Sequence, residues 1–290
     1  MMSTALDQAA GLRRMYLAPG TRVLPVFGAP ERVQVMVNLA TALARMEQQV
    51  LALDASRGEI APAFGLSARY ELKHVLDRDI SFQRATLHTR FGVQVLPAGR
   101  GMRLLAASGV SALDLFESLA QMAAPVDLIL VNGEAEVRTA RLLPSHGEAL
   151  MVLPRGAEAV LEAAARMKAL HAQYGFERFR VMMTRATYDD AQAAVDLLAR
   201  SMFDHAGIEV EFGGNIPPDR RLWEAARARR TIFDVDPTGP VARAYQNTAT
   251  AMTGWNLTVV TPVVSPEDAG AAAAPAAAFP AMFPAITKLH

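Results

Sequence analysis

The chain has no cysteine. That excludes disulfide scaffolds, thiolate metal sites and cysteine nucleophiles, and it suits a reducing compartment. Aromatic residues make up 7% and charged residues 20%, against 51% hydrophobic. The core is therefore aliphatic, and global disorder is excluded. Neither sign of charge is in excess: Lys and Arg total 29, Asp and Glu total 29, and the formal net charge is zero. Such a balance gives no electrostatic footprint for wrapping nucleic acid, which is not expected as a partner. No apolar run approaches the roughly 20 residues that cross a bilayer, and no basic-then-apolar leader opens the chain. The expectation is a cytoplasmic protein whose membrane contact is at most peripheral. The six histidines lack ligand spacing, so no metal site is expected, and no Gly-x-Ser-x-Gly turn occurs for a serine hydrolase.

What is present is a rhythm. Short apolar runs occur at 22–27, 49–54, 93–97, 126–132, 148–154, 179–184 and 208–214. Between or after them lie helix-period stretches near 32–47, 111–122, 156–174, 188–205, 219–229 and 239–252. Strands without polar alternation are covered on both faces, and helices between them make right-handed crossovers. The pattern predicts an α/β fold: a doubly wound, mostly parallel sheet with helices on both faces. Three parts follow. Residues 1–20 form an extension with weak helical spacing that Ala-Pro-Gly ends; 21–252 form the α/β domain. Residues 253–290 begin with a β-like run broken by Pro262 and Pro266, then become an Ala/Pro-rich tail. Prolines 275, 280 and 284 prevent a continuous helix there, so the tail reads as disordered, with Phe279, Met282, Phe283 and Ile286 available to a partner or a bilayer surface.

Ligands of such sheets sit at the carboxyl ends of the strands, near the switch point. Three stretches there and around them carry a resemblance. The first is D-Q-A-A-G-L-R at 7–13; the second is V-N-L-A-T-A-L-A at 37–44, leading into V-L-A-L-D-A at 50–55 and G-L-S-A-R-Y-E-L-K-H-V-L at 65–76. The third is Y-G-F-E-R-F-R-V-M at 174–182 with G-G-N-I-P-P-D-R-R-L at 213–222. In this order they resemble the MinD/ParA-type P-loop ATPases, more narrowly the flagellar-number regulators of FlhG/FleN type.

The resemblance implies a glycine-rich phosphate loop ending in Gly-Lys-Thr before the helix at 37–44. In its place stands V-F-G-A-P-E-R-V at 26–33. Phe27 takes the position of the lysine that bridges protomers, and Gly28 is kept. Ala29, Pro30 and Glu31 replace residues that let backbone N–H groups close around phosphate. Glu31 adds a carboxylate against triphosphate oxygens. Arg32 keeps a cation at the loop-lysine position in a forked shape, and Val33 has no oxygen for Mg²⁺. The family's Asp-x-Asp after the second strand is Asp54-Ala55-Ser56 here, and its metal-associated Asp is Asn132, an uncharged amide with half the acceptor capacity. The expected reading is a pseudo-ATPase with a degenerate nucleotide site at Gly28, Arg32, Asp54 and Asn132, no catalytic residue and no cofactor. Asp54, without its partners, reads first as a strand-end residue capping the loop that follows.

For Asp7, Gln8, Ala9, Leu12 and Arg13 the resemblance implies partner binding. In the flagellar regulators this segment docks on the signal-recognition-type GTPase of the flagellar pole and stimulates its hydrolysis. Leu12 and Ala9 would supply buried contact, Gln8 and Arg13 polar reach. The family's C-terminal amphipathic membrane helix has no counterpart in the Ala/Pro tail. Two rivals stand beside this reading: a working ATPase whose Arg32 replaces lysine, and a MinD-like scaffold of another polar assembly. The carboxylate pairs Asp189-Asp190 and Glu134/Glu136 read as helix first-turn charges. Arg220, Arg221, Arg227, Arg229 and Arg230 read as a solvated helix face.

Overall fold

The structure, a computed structural model, describes residues 20–123, 125–133 and 137–261. Residues 7–13, expected to bind a partner, and the part of the expected tail from 262 lie outside the described residues. Strands β1 (Thr21–Gly28), β2 (Val50–Asp54), β3 (Leu87–His88), β4 (Gln94–Pro97), β5 (Leu128–Asn132), β6 (Glu148–Pro154), β7 (Arg178–Thr184), β8 (Glu209–Ile216) and β9 (Thr258–Val260) form one sheet. Its order is β3-β4-β2-β5-β1-β6-β7-β8. All neighbours on that path run parallel except β3 with β4. The expected doubly wound, mostly parallel sheet is what forms, with β1 at its centre.

Helix α1 (Arg32–Arg45) covers one face. Short α2 (Ile60–Ala63), α3 (Leu72–Leu76) and α4 (Phe82–Ala85) follow β2, in a stretch for which no helix was expected. Helices α5 (Gly99–Ser108) and α6 (Ala112–Met122) follow, then α7 (Val137–Ala140), α8 (Ala157–Tyr174), α9 (Tyr188–Ala206), α10 (Arg220–Arg227) and α11 (Pro240–Ala251). The two faces have separate cores. Leu24 and Val26 of β1 pack with Met36, Leu39 and Leu43 of α1 and Tyr245 of α11. Val23 and Phe27, pointing the other way by the period of two, pack with Phe116 of α6, Met167 of α8 and Val195 of α9. No helix among the described residues is long and apolar enough to cross a membrane.

Two elements differ from the sequence reading. Helix α5 was not expected, because Gly99 and Gly101 depress helix propensity. A Cβ on Gly99 would lie 1.9 Å from the Ser56 carbonyl oxygen, so close packing of this helix start against the β2 loop dictates the glycine. The α/β unit also does not stop at 252. The β-like run that follows returns antiparallel to β1, with Val260 opposite Thr21 and Thr258 opposite Val23. It occupies the side of β1 that β6, paired only from Val26 onward, leaves open.

Candidate functional site

Register builds the site. Asp54 ends β2 directly opposite Asn132, which ends β5, and Asn132 lies opposite Val26 on β1. Two polar side chains of the same register on adjacent strands stand on the same face and meet. The Asn132 amide donates to Asp54 Oδ1 at 3.2 Å and to Ser56 Oγ at 3.1 Å. Asp54 also accepts from the Ser56 hydroxyl at 2.5 Å, the Ser56 N–H at 3.1 Å and the Ile60 N–H at 2.8 Å. Its carboxylate thus shapes the 55–60 loop from inside, and Asp54 and Asn132 are both fully buried.

Arg32, the first residue of α1, completes the cluster. Its side chain is 1% exposed and lies inward, Nε donating to Asn132 Oδ1 at 2.9 Å and Nη2 meeting Glu59 at 2.5 Å. A buried guanidinium needs both a counter-charge and acceptors for its fork, and this pair supplies them. Glu59 was not foreseen: nothing in its spacing marks it, and only the loop held by Asp54 brings it to Arg32. The structure therefore gathers Arg32, Asp54, Ser56 and Asn132 into one network, with Glu59 added.

The loop before α1 is closed by its own backbone. Ala29 N–H donates to Val152 O at 2.9 Å, Arg32 N–H to Ala29 O at 2.9 Å and Val33 N–H to Pro30 O at 3.2 Å, while Pro30 has no N–H. Gly28 keeps a structural task. Its φ is 120°, and a Cβ there would stand 1.9 Å from Val152 O. Glu31 points outward to Arg185, 2.6 Å away at the tip of β7. This second partner was also missed, since 154 residues separate the two.

Phe27 does not join the cluster. It is 2% exposed on the opposite face of β1, its ring edge-on to Phe176 at 5.4 Å. There it borders a cleft of about 690 Å³ between the tips of β1 and β6 and helix α8, lined by Phe27, Pro30, Gly133, Met151, Ala163 and Leu170 among others. Asn38, in the V-N-L-A stretch, bonds elsewhere: its Oδ1 accepts the Ile232 N–H at 2.7 Å and pins the 3-10 turn at Ile232–Asp234 to α1.

No protein-family model matches the chain. The sheet order and its covering helices define the fold class: a P-loop NTPase fold of the MinD/ParA type. The solved MinD cell division protein of Aquifex aeolicus matches with a TM-score of 0.62 and 18% identity, over 82% of this chain and 99% of that one. MinD of Pyrococcus horikoshii, solved with Mg-ADP, matches with a TM-score of 0.63 and 20% identity, over 81% and 96%. In sequence, the antiactivator FleN of Pseudomonas aeruginosa is 23% identical over 236 residues, covering 79% of this chain and 84% of FleN. Together these show the fold of the MinD/ParA structures and a sequence likeness to FleN.

Proposed function

We propose that the chain is a pseudo-ATPase regulator of flagellar number and placement that acts by contact with other proteins. The observation that carries this reading is the buried Arg32–Asn132–Asp54 network. Bound Mg-triphosphate asks for three things: open N–H groups in the loop, a cation facing the phosphates, and an oxygen for the metal. Here the N–H groups of residues 29, 32 and 33 are spent on carbonyls, and Arg32 is turned inward onto Asn132 and Glu59. Val33 carries no oxygen, and the Glu31 carboxylate stands at the mouth. The residues present do not fit Mg-ATP.

The likeness to FleN supports the flagellar assignment. In this reading Asp7, Gln8, Ala9, Leu12 and Arg13 bind the polar signal-recognition-type GTPase and stimulate it. The protein then sits at the pole or beside the inner membrane through its partners. The rival ATPase reading would require Arg32 to leave a buried ion pair, exposing Asn132 and Asp54 without their partner.

Two measurements test the proposal. Isothermal titration of the full chain with Mg-ATP and Mg-ADP is expected to show no binding heat; micromolar affinity with turnover overturns the pseudo-ATPase. In a pull-down with the flagellar GTPase, Gln8→Ala and Leu12→Ala are expected to lose binding that wild type retains. Equal capture of all three rejects the N-terminal element and leaves a MinD-like scaffold of another polar assembly.

A further inference from the structure

Helix α10 carries an outward face that no described residue covers. Ala225 is buried, and Leu222 and Ala226 are half-buried against the domain. At helical spacing on the other side stand Arg220, Trp223, Glu224 and Arg227, all exposed. The chain has two tryptophans. Trp255 is 8% exposed, whereas Trp223 is 58% exposed.

The charges around Trp223 are unevenly answered. Arg220 pairs with Glu224 at 2.7 Å, and Arg221 with Asp219 and Asp236 at 2.9 and 2.5 Å. Arg227 instead lies over the Trp223 indole, 4.6 Å from its centroid. Neither Arg227 nor Arg229 meets a carboxylate among the described residues, and Arg230 donates only to the Asp234 carbonyl at 3.0 Å. Arg227 on the indole and Arg229 and Arg230 just past the end of the helix thus carry charge that no carboxylate among the described residues meets, a few residues from the one exposed tryptophan.

We propose that this face docks on an anionic bilayer surface, with Trp223 entering the headgroup layer and Arg227, Arg229 and Arg230 meeting lipid phosphates. An indole with an apolar body and a polar N–H suits that layer, and arginines beside it reach phosphate while their stems stay on the ring. Nucleic acid is the less fitting polyanion. The helix has eight residues, about 12 Å, and one face of the ring already holds Arg227, which leaves base stacking a single side. A bilayer needs only a flat, continuous field of charge over an apolar layer. The inference stands whether or not the N-terminal element binds the GTPase.

Full-length protein mixed with phosphatidylcholine vesicles, and with vesicles containing phosphatidylglycerol, provides the test by sedimentation and tryptophan emission. Sedimentation and a blue shift are expected with the anionic vesicles alone, weakening as salt rises. The triple variant Arg227→Gln, Arg229→Gln, Arg230→Gln is expected to lose about 100-fold in partitioning. Trp223→Ala, a surface change that leaves the core intact, is expected to lose partitioning and the shift together. Equal binding to both vesicle types overturns the proposal, as does a variant that partitions like wild type. An emission shift produced by duplex DNA and not by vesicles also overturns it and makes the face a nucleic-acid contact.

Discussion

The strand tips of β1, β2 and β5 and the outer face of α10 treat arginine in opposite ways. At the tips, Arg32 is 1% exposed and its donors reach Asn132 and Glu59. At the end of α10 and just past it, Arg227 and Arg229 are exposed and meet no carboxylate among the described residues. The arginine at the strand tips belongs to the core, whereas those at and just beyond α10 lie on the surface. Buried polar groups that satisfy one another hold a shape; exposed ones that do not are free to hold something else.

Gly28→Ala gives the sharpest break on the buried side. The new Cβ would collide with Val152 O at 1.9 Å on a backbone with φ of 120°, so β1 and β6 must part. A loss of more than about 3 kcal/mol is expected in denaturant unfolding. If Gly28 were retained only for phosphate, with no packing task, the variant would unfold like wild type.

Much of this was legible in the sequence, for identifiable reasons. Buried parallel strands announce themselves as unbroken apolar runs, so β1, β2, β5, β6 and β7 were in place before the structure. Asp54 and Asn132 were singled out by the resemblance, which marks the positions after those strands, and register then obliges them to meet. Glu59 and Arg185 were not, because each meets its partner through a loop whose path no periodicity encodes. Helix α5 hid behind glycines needed for a close approach; the run that becomes β9 was read as β-like but was assigned to the tail, because nothing local says which strand it pairs with. The outward placement of Trp223 was equally hidden, since a helix of eight residues gives too short a pattern to fix which face is inside.

Arg32→Ala comes next in size. It removes the counter-charge of Glu59, strips Asn132 Oδ1 of its donor and opens a cavity beneath α1. Glu59 is 40% exposed and can rehydrate, so the expected loss is about 2–3 kcal/mol, at the low end for a broken buried pair. Arg32→Lys should recover part of it, because an ammonium reaches one partner but cannot fork to both. The comparison would collapse if Arg32→Ala were neutral in stability and yet bound Mg-ATP, since the arginine would then be a gate over a working site.

The smallest effect concerns how α10 holds its face toward solvent. Asp219 is the N-cap of this helix, its carboxylate accepting the Arg221 N–H at 2.8 Å and the Arg221 side chain at 2.9 Å. The side-chain bond from Arg221 is the main reason its pKa is lowered below the ordinary 3.8. A carboxylate with a depressed folded pKa stabilises above its unfolded value, and the contribution fades as pH falls through the folded one. Asp219→Ala is therefore expected to cost about 1 kcal/mol at neutral pH, as for other lost N-caps. The gap between variant and wild type should narrow when unfolding is followed below pH 4. A gap that stays constant with pH would mean that the carboxylate contributes nothing as a charge, and that α10 is held by Leu222 and Ala225 alone.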